Sequence, residues 1–463
     1  MAINKFIGTR SFYKKLLAVM IPILVQNAIT NFISLLDNIM VGQVGTEQMS
    51  GVSIVNQLIF VFNLCIFGTI SGAGLFSAQF FGRGDHDGVR HTFRFKLYVS
   101  VAVLAVAMML FITCGEPLIS LYLHEGSETG DLALTLKYAK QYLAIMLIGL
   151  LPFTITQTYA GTLREIGHTV PPMIAGIVGV AVNLSLNYVL IFGKLGAPAL
   201  GVEGAAIATI VSRFVECIAI IIWAHTHKSK CEFIRGVYRS LRVPLSLVKA
   251  IAKKGFPLLL NETLWAAAQA TLLQCYSVRG IAVVSALNIT NTIFNTFSVL
   301  FLSVGSAIAL MLGHILGTGD TEGARDSARK MIAFSLVMGA VCGAFVAICA
   351  PFFPLIYNTS AEVRGLATSL TFVIAAAAPL HAYLNASYFT MRSGGKTLTV
   401  FMFDSVYAWV VNVVLAFVLA NFTSLPILTV YICCQGIDIL KGALGTYLVA
   451  RGHWAVDLTK KIN

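Results

Sequence analysis

Charge is what this 463-residue chain has least of. Only 11% of its residues are Asp, Glu, Lys or Arg, against roughly 25% in an ordinary soluble domain. A water-soluble enzyme of this length needs far more charge to cover its surface, so that class is excluded. The strict polar–apolar alternation of a transmembrane β-barrel is also missing. No Gly-Lys-Ser/Thr follows either glycine-rich loop, so no nucleotide-binding P-loop forms. His225-Thr-His227 with Cys231 has loose metal-ligand spacing but no fourth ligand. No nucleophile–base pattern stands out. The nine cysteines fall mostly inside apolar runs (Cys65, Cys114, Cys217, Cys275, Cys342, Cys349) and read as small hydrophobes, not as a disulfide framework. The opening MAINKFIGTRSFYKK has neither an apolar h-region nor a small-residue cleavage site and reads as a cytoplasmic tail.

What remains is apolar: 57% of the residues. They form about twelve runs, each long enough to cross ~30 Å of hydrocarbon as a helix. The runs lie near 15–41, 50–80, 93–114, 134–160, 170–193, 201–223, 255–278, 280–312, 330–355, 363–391, 398–420 and 425–450. The expected fold is an all-α polytopic membrane protein with twelve transmembrane helices. Twelve crossings put both termini on one side. The net charge of +12 then sorts by loop. The 6–7 connection holds Lys228, Lys230, Arg235, Arg239, Arg242, Lys249, Lys253 and Lys254, whereas the 3–4 loop holds Glu116, Glu125, Glu128 and Asp131. By the positive-inside rule both termini and the 6–7 connection are cytoplasmic. The basic excess is therefore a topology signal, and no nucleic-acid partner is expected.

The chain repeats itself. Gly82-Arg-Gly-Asp-His-Asp-Gly88-Val-Arg90-His-Thr-Phe-Arg94 aligns with Gly317-Thr-Gly-Asp-Thr-Glu-Gly323-Ala-Arg325-Asp-Ser-Ala-Arg329. The same offset of 235 pairs Pro22 with Pro257. Val182-Asn183 to Leu190 aligns with Val411-Asn412 to Leu419, and Leu163-Arg164 to Thr169 with Met391-Arg392 to Thr397, at offsets of 229 and 228. Colinear matches at nearly one offset mark a duplication of six spans. Six is even, so the copies share one topology and form a parallel repeat of two six-helix lobes. The expected divisions are an N-tail (1–14), an N-lobe (15–223), a basic linker (224–254) that joins the halves as a hinge, a C-lobe (255–450) and a C-tail (451–463). Both Gly-x-Gly-Asp loops read as turns and helix caps.

A charge at the bilayer centre costs at least ~2.5–3.5 kcal/mol, so each intramembrane acid needs a reason. Asp37 in span 1 has no counterpart in the repeat, where Leu272 aligns. Asn183 and Asn187 in span 5 are four apart and share a helix face. Their amides can bond a carboxylate or help complete an oxygen shell around Na+, to which Thr209 can add one more oxygen. The alternative is that Asp37 caps an outer helix end. Glu262 in span 7 aligns with Asn27 and is the second candidate, either as a proton carrier or as a structural hydrogen-bond partner. Arg213 with Glu216, and Asp438 with Lys441, are each three apart on one helix and read as self-neutralising pairs. No other metal site is expected.

These motifs resemble the multidrug and toxic compound extrusion (MATE) family. The resemblance rests on Pro22, Asp37-Asn-Ile-Met-Val-Gly42, the two Gly-x-Gly-Asp loops, Asn183-x-x-x-Asn187, Pro257 to Glu262, and Phe389-Thr-Met-Arg392-Ser-Gly-Gly-Lys-Thr397. It implies a secondary antiporter of the plasma membrane. Such a protein needs no cofactor and exports organic, cationic or amphiphilic compounds in exchange for inward H+ or Na+. One branch of the family builds an N-lobe site from an Asp in span 1 and Asn-x-x-x-Asp in span 5; Asp37 and Asn183 match, and Asn187 replaces the second Asp. Another branch uses a Glu in span 7 and an Asp in span 10; Glu262 matches, and His381 stands near the second position. Asn27, Asn261, His381 and Asn385 are the expected substrate-pathway residues. The chain is expected to work as a monomer in the lipid bilayer. A lipid or polysaccharide-precursor flippase of the same superfamily is the rival reading, disfavoured by the span count and by the self-pairing of the buried basic residues.

Overall fold

The computed structural model describes residues 5–122, 131–357 and 359–461. Glu125 and Glu128 of the acidic 3–4 loop lie outside them. Among the described residues twelve long helices follow one another: α1 (Arg10–Gly42), α2 (Thr46–Arg83), α3 (His86–Ser120), α4 (Leu132–Glu165), α5 (Val170–Phe192), α6 (Gly201–Thr226), α7 (Leu245–Ser277), α8 (Ile281–Gly317), α9 (Thr321–Cys349), α10 (Ala361–Ser393), α11 (Thr397–Phe422) and α12 (Ile427–Ala450). Eleven are long and apolar enough to cross a membrane, α7 being outside that set among the described residues. The 33 residues of α7 interleave Asn261, Glu262, Thr263, Gln269, Thr271 and Gln274 with its apolar ones, which dilutes its hydropathy without shortening it.

The chain divides into two compact units, one of residues 1–24, 78–84 and 249–463, the other of 25–77 and 85–248. In the second unit α6 packs along α5 and α4, and α4 along α3. Close approach of α5 and α6 depends on Gly204: a Cβ there would stand 2.7 Å from the Leu190 carbonyl. Val55, Phe62, Ile66, Met146 and Leu150 fill the interior beside them. In the first unit α10 runs between α8 and α9. Gly339 and Gly343 of α9 let its backbone meet Ala375, Ala378 and Ala382 of α10.

The internal repeat is visible as matched local structure. Asp85 and Asp320 cap α3 and α9, each accepting from the backbone N–H three residues on (Gly88 and Gly323) at 2.8 Å. The preceding Gly84 and Gly319 have φ of 79° and 86°, a left-handed conformation that glycine adopts without a Cβ penalty. The expected turn-and-cap reading of both loops holds. The first glycine of each motif has another task. A Cβ on Gly82 would lie 2.1 Å from the His314 carbonyl oxygen, and one on Gly317 would lie 2.0 Å from that of Gln79. Gln79 and His314 are themselves repeat partners at the same offset of 235. The ends of α2 and α8 therefore cross symmetrically, backbone against backbone. Pro22 and Pro257 both lie inside helices, as do Pro152 and Pro379.

Part of the 6–7 connection, residues 231–242, packs within the second unit. Cys231, Phe233, Ile234 and Val237 are buried. Arg94 of α3 donates to the carbonyls of Val237 (2.7 Å), Gly236 (3.1 Å) and Arg242 (3.3 Å). Tyr98 donates to Leu241 O at 3.0 Å, and the Tyr159 and Tyr238 hydroxyls bond each other. His225 stacks on Tyr238 and His227 on Trp223.

Candidate functional site

In the second unit four predicted residues meet. Asn187 Nδ2 donates to Asp37 Oδ1 at 2.5 Å and to Asn183 Oδ1 at 3.2 Å, and Asn183 Nδ2 donates to Thr209 Oγ1 at 3.3 Å. The result is a polar line from α1 through α5 to α6. The i, i+4 spacing puts both asparagines on one face of α5, and the α5–α6 contact at Gly204 brings Thr209 within reach. Asn187 is fully buried and Asn183 is 4% exposed. The Asn187 Oδ1 atom is buried and accepts no hydrogen bond. A buried amide oxygen without a donor is costly, and here it lies on the same side chain that holds a carboxylate. Asp37 Oδ2, Asn187 Oδ1 and Thr209 Oγ1 retain lone pairs that a cation or a proton donor can take. Asn27 is half-buried on α1, ten residues before Asp37, or ~15 Å along the helix.

The first unit holds a larger network. Glu262 Oε1 receives Tyr388 Oη at 3.3 Å and Arg392 Nη1 at 3.4 Å. Asn261 Nδ2 donates to Tyr388 Oη (3.3 Å) and to Asp404 Oδ2 (3.1 Å), while Ser405 Oγ donates to Asn261 Oδ1 at 2.8 Å. Lys441 Nζ closes on Asp404 Oδ1 at 2.9 Å. Two acids and two bases thus neutralise one another across α7, α10, α11 and α12. Around Asp404 the backbone of α11 loosens into wide π-type turns, Met402–Val406 and Ala408–Val413; such turns re-aim side chains and recur at functional sites.

Two expected self-pairs are corrected. Lys441 bonds Asp404 of α11, and Asp438 instead accepts from Asn412 Nδ2 at 3.1 Å. Arg213 donates to Gly149 O at 3.4 Å and lies 5.1 Å from the Phe153 ring centroid; the Glu216 charge still acts on it, without a close ion pair between them among the described residues. In both cases a neighbouring helix offers a better-aimed partner than the side chain one turn away. His381 and Glu262 are not brought together. His381 bonds Gln435 at 3.1 Å, while Glu262 bonds residues seven and eleven positions further along α10. Asn385 Oδ1 is buried without a hydrogen-bond partner beside Gly305. A buried pair the sequence reading did not single out joins Lys96, which is fully buried, to Glu165; Thr162 Oγ1 accepts from the same ammonium at 3.1 Å.

A family profile described as MatE matches residues 22–189 and again 257–418; the two matches begin 235 and end 229 residues apart, as the repeat does. A probable multidrug resistance protein NorM of Halalkalibacterium halodurans is 27% identical over 426 residues, covering 89% of this chain and 88% of its own. The multidrug resistance protein MdtK of Pectobacterium atrosepticum is 25% identical over 411 residues, covering 88% and 87%. A MATE protein crystallised in the bent conformation shares the fold with a TM-score of 0.86 at 18% identity, over 97% of each chain. An outward-facing multidrug resistance MATE transporter of the MOP superfamily shares it with a TM-score of 0.85 at 18% identity, over 99% of each. With both of its copies matched in step with its own repeat, the chain belongs to the MatE family.

Proposed function

We propose that this multi-pass membrane protein exports organic, cationic or amphiphilic compounds across the plasma membrane in exchange for inward H+ or Na+, by alternating access of its two six-helix halves. Both termini face the cytoplasm and the chain works as a monomer. The reading is supported by the duplicated architecture and by relatives named as multidrug resistance proteins. The observation that carries it is the line Asp37–Asn187–Asn183–Thr209, with its unpartnered Asn187 Oδ1.

The coupling is competition for one carboxylate. Ionised Asp37 attracts either the coupling ion or a cationic substrate. An exchanger needs an ion that binds the two conformations with different affinity, because only that difference shifts their populations. Loading Asp37 with a proton removes its charge and with Na+ offsets it; either changes what Asn187 can donate to, and so couples ion binding to the α1–α5–α6 arrangement. The test is efflux of a fluorescent organic cation from proteoliposomes, with the Na+ and pH gradients imposed separately. Efflux driven by either gradient supports exchange. Release that follows neither gradient ends the reading.

A further inference from the structure

A groove of about 330 Å³ runs between α5 and α6 in the second unit, away from the Asp37 line. Ile174 and Val178 of α5 and Ala219 and Trp223 of α6 form its walls, and His168 and Lys230 close one end. Its walls are apolar and open outward: Ile174 is 52% and Val178 42% exposed, and Ile218 and Ile222 beside them are 52% and 57% exposed. In a chain that crosses a bilayer, such a face meets acyl chains.

The closed end is chemically different. Lys230 is the one fixed charge among the lining residues. Its backbone is held at the rim by His168, whose Nε2 bonds Lys230 O at 3.2 Å while its ring meets Trp223 edge-on at 5.7 Å. No described residue offers the Lys230 ammonium a hydrogen bond or ion pair. Glu232, the acid nearest to it in sequence, is bonded to His86 at 3.3 Å. The chain beyond Lys230 is the packed linker, with exposed Arg235, Arg239 and Arg242. An apolar slot with a cation at the water-facing end matches one amphiphile: an acid headgroup with a hydrocarbon tail.

We propose that this groove binds an anionic phospholipid of the leaflet on the linker side, one acyl chain lying between α5 and α6 and its phosphate on Lys230 Nζ. Inorganic phosphate has no use for the apolar walls, and a zwitterionic lipid brings its own ammonium to the site.

Trp223 reports on the groove directly. The full chain, with Trp265, Trp409 and Trp454 each replaced by Phe, is reconstituted with dibrominated phosphatidylglycerol or dibrominated phosphatidylcholine at equal mole fraction. Quenching of Trp223 is expected to favour the glycerol lipid about fivefold in apparent association, the scale of one basic residue at a membrane surface. Lys230→Gln should erase the preference, Ala219→Phe should reduce quenching by both lipids, and excess inorganic phosphate should change nothing. Equal quenching by the two lipids, a preference untouched by Lys230→Gln, or displacement by phosphate would overturn the proposal. Should the triple Phe variant not fold, native mass spectrometry of the unaltered chain is compared with Lys230→Gln. The retained phosphatidylglycerol should drop by one molecule per chain, and an unchanged count overturns the proposal equally.

Discussion

Lys441 extends its ammonium to Asp404 of α11 at 2.9 Å, although Asp438 lies one turn away on its own helix. Both side chains are largely withdrawn from solvent, at 11% and 17% exposure, and the ammonium also lies 5.2 Å from the Phe403 ring centroid. The pair ties α12 to the π-type turns of α11.

Removing one partner of such a pair leaves a buried charge alone, which typically costs ~3–5 kcal/mol. Lys441→Met should therefore lower the thermal unfolding midpoint of the purified chain markedly. Asp404→Asn with Lys441→Met should recover most of the loss, because the charge left behind is gone. A Lys441→Met variant as stable as the parent would show that Asp404 does not depend on the ammonium for its burial.

The crossing of α2 and α8 makes a second prediction. A Cβ on either Gly82 or Gly317 would meet a carbonyl oxygen at 2.1 or 2.0 Å, and the obstacle is backbone, which cannot rotate aside. Gly82→Ala and Gly317→Ala should each destabilise by at least about 1–3 kcal/mol, the usual cost of overpacking. The neighbouring Gly84 and Gly319 have open space around them but positive φ. Substitution there should cost less, about 1 kcal/mol of backbone strain. Unfolding midpoints of the four variants, measured side by side, test the ranking.

The linker predicts a pH effect outside the spans. Cys231 is fully buried where the linker leaves α6, and burial pushes its thiol up to about 11. The raised value means that the folded chain keeps the thiol protonated. That contribution to stability is complete below the ordinary thiol range near 9 and is lost as pH climbs through about 11. Alkylation of Cys231 should stay slow at pH 8 and accelerate only well above pH 9. Arg94→Ala removes three hydrogen bonds to linker carbonyls. It should raise both the alkylation rate at pH 8 and tryptic cutting after Arg235 and Arg239 by about tenfold, as local opening becomes easier. Mass-mapped labelling and limited trypsin digestion measure the two.

Local periodicity made the α5 cluster legible. Asn183 and Asn187 share a face by spacing alone, and an acid in an apolar span is rare enough to seek a partner. The repeat was equally legible, since Asp85 and Asp320 cap helices through contacts three residues long. What escaped depended on helices far apart in sequence. Lys441 and Arg213 each had an acid at i−3 or i+3, and nothing local said that Asp404, or Gly149 O with Phe153, would be better aimed. Lys96 falls just inside the span expected at 93–114, and its partner Glu165 lies beyond the span expected at 134–160. Only the longer α3 and α4 bring them together in the interior. The packing of linker residues 231–242 was equally hidden, because Arg94 finds carbonyls on them that no sequence pattern advertises.

Asp37 and Asn187 carry the decisive functional test. The Asn187 amide donates to Asp37 and to Asn183 at once, while its own oxygen accepts from no described residue; in the proposed exchange that oxygen is a ligand for the incoming ion. Asp37→Asn keeps the volume and removes the charge. It should reduce gradient-driven efflux at least tenfold in proteoliposomes, while the unfolding midpoint stays close to the parent's. Asn187→Leu leaves Asp37 without its donor and should cost ~1–3 kcal/mol in stability as well as transport. Asn187→Asp sets two carboxylates in contact, which repel unless a cation lies between them. That variant should therefore reach half-maximal efflux at lower Na+ than the parent and respond more steeply to it. If Asp37→Asn still transports fully under both gradients, coupling resides elsewhere, and the Glu262–Arg392 end of the other unit is the next place to look.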